Sequence, residues 1–276
     1  MAEKDLGILT NSAVSVGSTR LASDGMRADP DRARLSRRQE AWDRRPLLRE
    51  IYHRYHQMIS TARSTVAGKD VELGAGHGSF AQSVPGVLSC DIIPCPWLDC
   101  AADAARLPFR AGCLANLIMV DVLHHIARPA DFFAEAARTL APGGRVLLVE
   151  PYTSPASWIA WRFFHEERID LAAQPLEDGG LEVGLPGSDP WDANIAVPTI
   201  LFWRQLRAFH ARFPNLSVIR RNRFDLLLYP LSGGFERRPL VPSPLVPLLR
   251  AGERALRPLS GLLAFRCFIV VEKAPS

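Results

Sequence analysis

The stretch DVELGAGHGSF at residues 70–80 decides the class of fold, because it joins the end of a short apolar strand to a glycine-rich loop. Gly74, Gly76 and Gly78 let the backbone turn tightly and approach a ligand closely. A dinucleotide-binding loop would need glycine at position 79, where the chain has Ser79. A carboxylate at Glu72 would also repel a pyrophosphate, whereas it suits the ammonium and sulfonium groups of S-adenosylmethionine. The loop therefore favours S-adenosylmethionine as the cofactor.

Around this loop, predicted strands alternate with predicted helices. Residues 114–120 (LANLIMV) form a nearly continuous apolar run, as expected for a strand buried on both faces of a sheet. A helix is expected from Pro129, and Pro142-Gly143-Gly144 ends it before the next strand. Further strands are predicted at 71–73, 87–90, 97–100, 145–149, 216–220 and 265–271. This alternation predicts an α/β fold with a doubly wound, mostly parallel sheet.

The segments outside this pattern suggest how the chain is organised. Residues 1–33 show no lasting period and are interpreted as a flexible tail. Residues 34–276 are predicted as a single domain that begins with an amphipathic helix over 38–62. The segment 153–213, after the fifth strand, is interpreted as an inserted substrate cap. For residues 229–235 (YPLSGGF), a pocket-closing loop and an ordinary surface turn both stay open.

Composition and charge exclude several classes of protein. A net charge of +4 is too small to indicate nucleic-acid binding. No apolar run reaches the roughly 18 residues of a membrane span and no secretion-signal pattern is present, so the sequence predicts a cytoplasmic location. The spacing of Cys90, Cys95 and Cys100 does not match paired zinc ligands. These cysteines are interpreted as small apolar side chains, and no metal site is predicted.

Several elements, in order along the chain, resemble the motifs of class I S-adenosylmethionine-dependent methyltransferases, especially the small-molecule group that includes the ubiquinone- and menaquinone-biosynthesis enzymes. They are Glu72 to Gly78, Asp91, Asp103-Ala104, Asp121, Leu123-His124-His125 and Pro142-Gly143-Gly144. The resemblance covers residues 71–152. It implies a seven-stranded sheet with an antiparallel last strand and a cap insertion after the fifth strand. Asn116 departs from the aspartate that many members carry.

The resemblance also implies a set of cofactor-binding residues. They are Glu72, Gly74, Ala75, Gly76, Gly78, Asp91, Asp103, Ala104 and Asp121. Asp91 is expected to hold the ribose hydroxyls and Asp103-Ala104 to contact the adenine, while the backbone at Asp121 passes beside the cofactor. Ordinary strand-end, turn or helix-cap roles stay open for the three aspartates.

His124 and His125 are the candidate catalytic residues, because they follow the fourth strand, where the acceptor of the methyl group is expected. An imidazole with an ordinary pKa of about 6.5 could accept a proton from a hydroxyl or an acidic carbon. A structural role for both histidines stays open. So does a proton-accepting role for His165, Glu166 or Glu167 in the cap.

The function predicted from these motifs is methyl transfer to an oxygen, nitrogen or carbon nucleophile of a small molecule, such as a secondary metabolite, a sugar or a lipid-linked precursor. One alternative is an RNA or protein methyltransferase, but a basic aromatic module and an NPPY-like tetrad are both absent. The other is a non-catalytic scaffold that keeps the fold.

Residues 245–263 (LVPLLRAGERALRPLSGLL) allow two interpretations. Long apolar side chains with arginines among them are typical of a helix lying on an anionic bilayer. A helix that packs on the sheet before the final strand has the same pattern. Pro247 and Pro258 favour the second interpretation, because proline interrupts a long helix. Peripheral membrane contact therefore stays as the weaker prediction.

Overall fold

A computed structural model describes residues 30–164, 167–178, 180–181 and 191–275. Residues 1–29 of the predicted tail, and the candidate proton acceptors His165 and Glu166, lie outside the described residues. The strands are β1 Lys69–Leu73, β2 Val87–Asp91, β3 Cys100–Ala101, β4 Leu114–Val120, β5 Leu140–Pro151, β6 Leu216–Phe224 and β7 Arg266–Lys273. The helices are α1 Pro30–Arg44, α2 Pro46–Ala62, α3 Ser79–Ser83, α4 Pro129–Thr139, α5 Pro155–Phe164, α6 Val197–Thr199, α7 Leu206–Arg212, α8 Leu228–Ser232, α9 Val246–Leu256 and α10 Ser260–Leu263. Short 3₁₀ turns cover Leu123–His125, Ser243–Leu245 and Arg257–Leu259, and a π turn covers Ile200–Arg204.

The seven strands form one sheet in the order β3-β2-β1-β4-β5-β7-β6. The first five strands pair in parallel, whereas β7 pairs antiparallel with both β5 and β6. The predicted fold class is confirmed. The strand order reverses between β1 and β4, so the crevice for a ligand opens at the carboxyl ends of these two strands.

Apolar side chains cover both faces of the sheet. On one face, α2 buries Ile51, Tyr55 and Ile59 completely against the sheet. On the other face, α4 and α7 contribute Phe133 and Phe209, whose rings meet edge to face at 4.9 Å. The parallel strands are therefore buried on both sides, as the run at 114–120 predicted.

Asn116, which stands where many family members carry aspartate, stabilises the fold through hydrogen bonds of its side chain. The side chain is fully buried in β4. Its amide nitrogen donates to Ser64 O and to Asp70 Oδ1, and its oxygen accepts from Ser64 N. An aspartate could not donate to those two oxygens, so asparagine is the residue that links β4 to β1 and to the end of α2 here.

The predicted helix over 38–62 is two helices. The first begins earlier, at Pro30, and ends at Arg44. The second begins at Pro46, and Arg45 between them has φ −119° and ψ 87°. A proline disfavours helical backbone at the residue before it, which explains the break. Residues 30–33 of the predicted tail are therefore helical.

A disulfide joins Cys90 in β2 to Cys100 in β3, with 4.9 Å between their Cα atoms. The interpretation of these two cysteines as small apolar side chains was wrong. They face each other directly in the parallel register of β2 and β3, which the spacing along the chain does not reveal.

No helix within the described residues is long and apolar enough to cross a membrane. Helices α5, α6 and α7 lie between β5 and β6, within the segment 153–213. Their role as a substrate cap stays a prediction.

Candidate active site

The glycine-rich loop connects β1 to α3 at the carboxyl edge of the sheet. Gly74 has a φ of +66°, and a Cβ atom there would lie 2.3 Å from Cγ2 of Val122, so the backbone can pass this point only without a side chain. Gly76 has a φ of +53° but open space around it, because an added Cβ would meet only Leu35, at 3.8 Å. Gly76 N–H donates to Asp91 Oδ2 at 2.8 Å, which fastens the loop to the end of β2.

This loop forms one wall of a pocket at the strand ends. Its lining includes Glu72, Gly74, Ala75, Gly76 and Asp91, all of them predicted cofactor-binding residues. Asp121, also predicted, lies on the opposite wall at the end of β4. The structure thus brings six of the nine predicted residues to one pocket. Their roles toward the cofactor stay predictions.

Gly78, Asp103 and Ala104 are not among the residues that line this pocket. Gly78 turns the chain into α3 with a φ of +75°. Asp103 Oδ1 accepts from Ala105 N at 2.8 Å, so its carboxylate closes a local turn. This is the turn role that the sequence left open, and the adenine contact at Asp103-Ala104 stays a prediction.

The buried carboxyl of Glu72 fits the cationic end of S-adenosylmethionine. Glu72 is 5% exposed, and its Oε2 has no hydrogen-bond partner. Burial raises the pKa of this carboxyl to about 8. A buried acceptor without a partner is costly, and a ligand ammonium would supply both the missing hydrogen bond and a positive charge. The residues present therefore fit the predicted cofactor.

Asp121 is held by two side chains that the sequence did not reveal. Its carboxylate forms a buried ion pair with Arg266 of β7 and accepts a hydrogen bond from the Tyr52 hydroxyl at 2.7 Å. Burial alone would raise the pKa of Asp121, but the Arg266 guanidinium lowers it to about 2. Asp121 also has a φ of +61°, which is rare for a residue other than glycine. The carboxylate is thus ionised and fixed beside the cofactor pocket.

His124 is clamped between two carboxylates. Its Nδ1 lies 2.6 Å from Glu150 Oε2 and its Nε2 lies 3.7 Å from Glu167 Oε2. Burial opposes protonation, but Glu150 and then Glu167 raise the pKa of His124 above its ordinary value. Glu150 itself is fully buried and accepts from the backbone N–H groups of Val122 and Leu123. His124 therefore links the turn after β4 to the end of β5, and the two carboxylates favour its protonated form.

His125 has the opposite properties. Burial, and then the charge on His124, lower the pKa of His125 well below its ordinary value, so the imidazole is neutral at neutral pH. Its Nδ1 lies 3.1 Å from the carbonyl oxygen of Asp192. A neutral ring can make this hydrogen bond only by donating from Nδ1, which leaves the Nε2 lone pair available.

A larger cavity, of about 460 Å³, adjoins the cofactor pocket. Its apolar walls include Trp161, Phe164 and Phe265. Residues 229–235, predicted as a loop or turn, belong to helix α8 up to Ser232 and to the turn after it, and they line the cavity through Tyr229 and Phe235. A pocket-closing role for them stays a prediction. Both cavities share a wall formed by Arg38, Tyr52, Asp121, His125 and Phe235.

His124, His125 and Glu167 could also hold a cation, because each offers a ligand atom and the three atoms lie within 4.8 Å of one another. His124 is already engaged by both carboxylates, since its Nδ1 lies 2.6 Å from Glu150 Oε2 and its Nε2 3.7 Å from Glu167 Oε2.

Part of the chain is similar to known methyltransferases. A methyltransferase domain matches residues 71–148. No curated protein matches the chain by sequence. Among solved structures, the chain is similar to an S-adenosylmethionine-dependent methyltransferase from Archaeoglobus fulgidus, with 12% identity, 82% of this chain and 94% of that chain covered and a TM-score of 0.48. An S-adenosylmethionine-dependent methyltransferase from Mesorhizobium loti is 13% identical, with 79% of this chain and 96% of that chain covered and a TM-score of 0.44. A chain of the Haloferax volcanii complex between the Trm112 methyltransferase activator and a methyltransferase is 16% identical. The match covers 89% of this chain and 96% of that chain, with a TM-score of 0.47.

The domain match spans the glycine-rich loop and the ends of β2 and β4, which line the cofactor pocket. The chain therefore contains a methyltransferase domain, and its strand order is that of the predicted α/β fold. It is an enzyme that uses S-adenosylmethionine, as the motifs predicted.

Proposed function

We propose that this enzyme methylates an oxygen, nitrogen or carbon nucleophile of a small molecule that binds in the cavity beyond the cofactor pocket. The observation that carries the proposal is the shared wall: a molecule in the larger cavity and a cofactor beside the glycine-rich loop would meet at Tyr52, Asp121 and His125. The cavity is enclosed largely by apolar side chains, which suits a small acceptor better than a macromolecular surface.

The residues at the shared wall have distinct tasks in this proposal. S-adenosylmethionine, when bound, supplies an electrophilic methyl group whose departing thioether needs no acid. The protein therefore has to align the nucleophile, exclude water and remove a proton. His125 is the proton acceptor, because its free Nε2 lies at the junction of the two cavities.

His124 is a positioning residue in this scheme. It lines the larger cavity but not the cofactor pocket, and its ring is already engaged by Glu150 and Glu167. It sets the environment of His125 through the contact of their rings, whose centroids are 4.3 Å apart. Asp121, fixed by Arg266 and Tyr52, forms the floor between the two cavities.

Methyl transfer into fractionated small-molecule extract from the source cells tests the proposal. Wild-type enzyme and S-adenosylmethionine with a labelled methyl group are expected to label a small-molecule fraction. His125→Ala is expected to bind S-adenosylhomocysteine as wild type does and to label that fraction far more slowly. Label that appears only in the RNA or protein fraction would overturn the proposed acceptor class.

A further inference from the structure

Exposed apolar side chains are concentrated on one region of the surface, formed by α5, α9 and α10. We define the apolar face as the exposed side of residues 158–164 and 245–262. Phe163 and Phe164 of α5 are 73% and 65% exposed, and Leu248 of α9 and Leu262 of α10 are 68% and 55% exposed. An exposed apolar patch rimmed by polar groups marks a surface that binds something.

The two parts of the apolar face adjoin each other. Helix α10 packs against α5, and it follows α9 after a single 3₁₀ turn. Arg237 lies over the Phe164 ring, 5.7 Å from its centroid, and connects the end of α5 to the segment that leads toward α9. The exposed side chains therefore belong to one surface.

Helix α9 carries apolar residues on two of its faces. Val246 and Leu249 pack inward against the core. Leu248, Ala251 and Ala255 are exposed, and the spacing of three and four residues continues to Leu259 and Leu262. One sequence pattern thus provides a face that packs on the protein and a second apolar face that lacks a described neighbour.

Both prolines stand at the start of a helical segment, and the α-helix is interrupted at the second, as the sequence predicted: α9 ends at Leu256, two residues before Pro258. Pro247 occupies the first turn of α9, and Pro258 lies in the first turn of the 3₁₀ segment between α9 and α10. At such positions the missing N–H has no helical partner to lose. Residues 245–263 are therefore two helices joined by a 3₁₀ turn, with Leu248, Leu259 and Leu262 exposed along them.

The exposed charged side chains within residues 155–164 and 240–264 are arginines. Arg162, Arg254 and Arg257 are exposed at its border. Within residues 155–164 and 240–264 the only acidic residue is Glu253. Its carboxylate is turned inward and accepts from the backbone N–H groups of Leu227 and Leu228. Apolar side chains with a cationic border complement an anionic lipid surface.

The cavity for the acceptor opens at this face. Phe164 and Leu240 are 65% and 75% exposed, and both also line that cavity. Glu236, Arg237 and Arg238 line it as well and are exposed beside them. A molecule that leaves a lipid layer at this point could enter the cavity without crossing water.

We propose that the apolar face docks the enzyme on an anionic membrane surface, with the acceptor cavity opening toward the lipid. The opening of the acceptor cavity toward the lipid rests on the proposed function. Docking itself does not, because it depends on the leucines and arginines of α9 and α10 and not on the residues around the cofactor.

Flotation of the full chain with vesicles tests this proposal. One set of vesicles is phosphatidylcholine alone, and the other contains phosphatidylglycerol as well. The enzyme is expected to float with the anionic vesicles at low salt and to be released at high salt. Failure to float with anionic vesicles at low salt would overturn the proposal, as would equal flotation with neutral vesicles.

Surface variants distinguish docking through the apolar face from nonspecific adsorption to vesicles. Leu248→Ser and Leu262→Ser are each expected to lower partitioning by about tenfold or more, because a leucine side chain no longer enters the lipid. Ile219→Ser is the matched control, since Ile219 is 50% exposed on β6, outside the apolar face. Replacing Arg254 and Arg257 together by glutamine is expected to lower partitioning into anionic vesicles by about 25-fold, whereas Arg110→Gln outside the face leaves it unchanged.

Two further readouts keep these outcomes interpretable. Calorimetric binding of S-adenosylhomocysteine shows that each variant is folded. Light scattering gives the mass of the particle in solution, and a dimer that Leu248→Ser dissociates would show that a second copy covers the face instead. Retained flotation with a failed methyl-transfer assay would overturn the proposed function and leave docking in place.

Discussion

The cofactor side and the acceptor side of the site are built in different ways. The cofactor side consists of a short loop and the ends of neighbouring strands, and its contacts are mostly with backbone atoms, such as Gly76 N to Asp91 Oδ2. The acceptor side is assembled from side chains far apart in sequence: Tyr52 and Asp121 are separated by 69 residues, and Asp121 and Arg266 by 145. A backbone cradle leaves a local pattern in the sequence, whereas a set of distant side chains does not.

The largest expected effect breaks the cofactor side alone. Gly76→Arg is expected to abolish binding of S-adenosylhomocysteine, because the side chain would fill the pocket that the open backbone leaves. Calorimetry measures the loss. Gly112→Arg is the matched control: Gly112 has a φ of +68° and open space around it, so it carries the same backbone strain without lining the pocket. Equal losses in both variants would assign the effect to strain.

The second effect breaks the acceptor side while leaving the cofactor side intact. His125→Ala is expected to lower kcat by about 10²–10⁴-fold, as for loss of a general base. Binding of S-adenosylhomocysteine is expected to change little, because Glu72 and the loop are untouched. Steady-state kinetics with the acceptor found in the labelling experiment provide the measurement. A loss of less than about threefold would return His125 to a structural role.

A smaller effect comes from the end of β2. Asp91→Ala is expected to weaken cofactor binding by about 1–3 kcal/mol, because it removes a charged hydrogen-bond acceptor from the pocket. Asp99→Ala is the control, since Asp99 accepts from Ser89 N and Ser89 Oγ on the same strand and does not line the pocket. Unchanged affinity in Asp91→Ala would contradict the predicted ribose contact.

The smallest expected effect is a shift in the pH dependence of kcat, which distinguishes the roles of His124 and His125. A base with a lowered pKa is neutral across neutral pH, so kcat is expected to fall only as the pH drops well below about 6.5. His124→Gln removes a positive neighbour, so the pKa of His125 should rise and the acid limb should move to higher pH. The pH profiles of wild type and His124→Gln measure this shift. An unmoved limb, or one that moves to lower pH, would contradict the assignment.

The sequence located several residues of one pocket for a physical reason. The spacing of Gly74 and Gly76 and the acid at Glu72 report what a backbone cradle for a cationic ligand requires, and all three line the pocket. Asp103 was less certain because an aspartate before a turn also closes that turn locally, as it does here. The parallel order of β1 to β5 followed from the alternation of strands and helices.

The acceptor side was only partly predictable. The LHH pattern located His124 and His125, but the raised pKa of His124 depends on Glu150 and Glu167, which reach it only in the folded chain. The lowered pKa of His125 depends on its burial and on His124. A glutamate at the end of an apolar strand was the signal that could have identified Glu150. Arg266 offered a comparable signal, as an arginine at the start of the apolar run of β7.

The central claim is that the loop between β1 and α3 holds the cofactor through the buried Glu72 carboxyl, and proton release on binding tests it most directly. With a pKa of about 8, Glu72 is mostly protonated at about pH 7, and a bound cation would lower that pKa. Titration with S-adenosylmethionine in two buffers of different ionisation enthalpy should therefore report release of about one proton at about pH 7. Release should be absent at about pH 9.5 and in Glu72→Gln. Equal proton release in wild type and Glu72→Gln, or none in wild type at neutral pH, would contradict the claim.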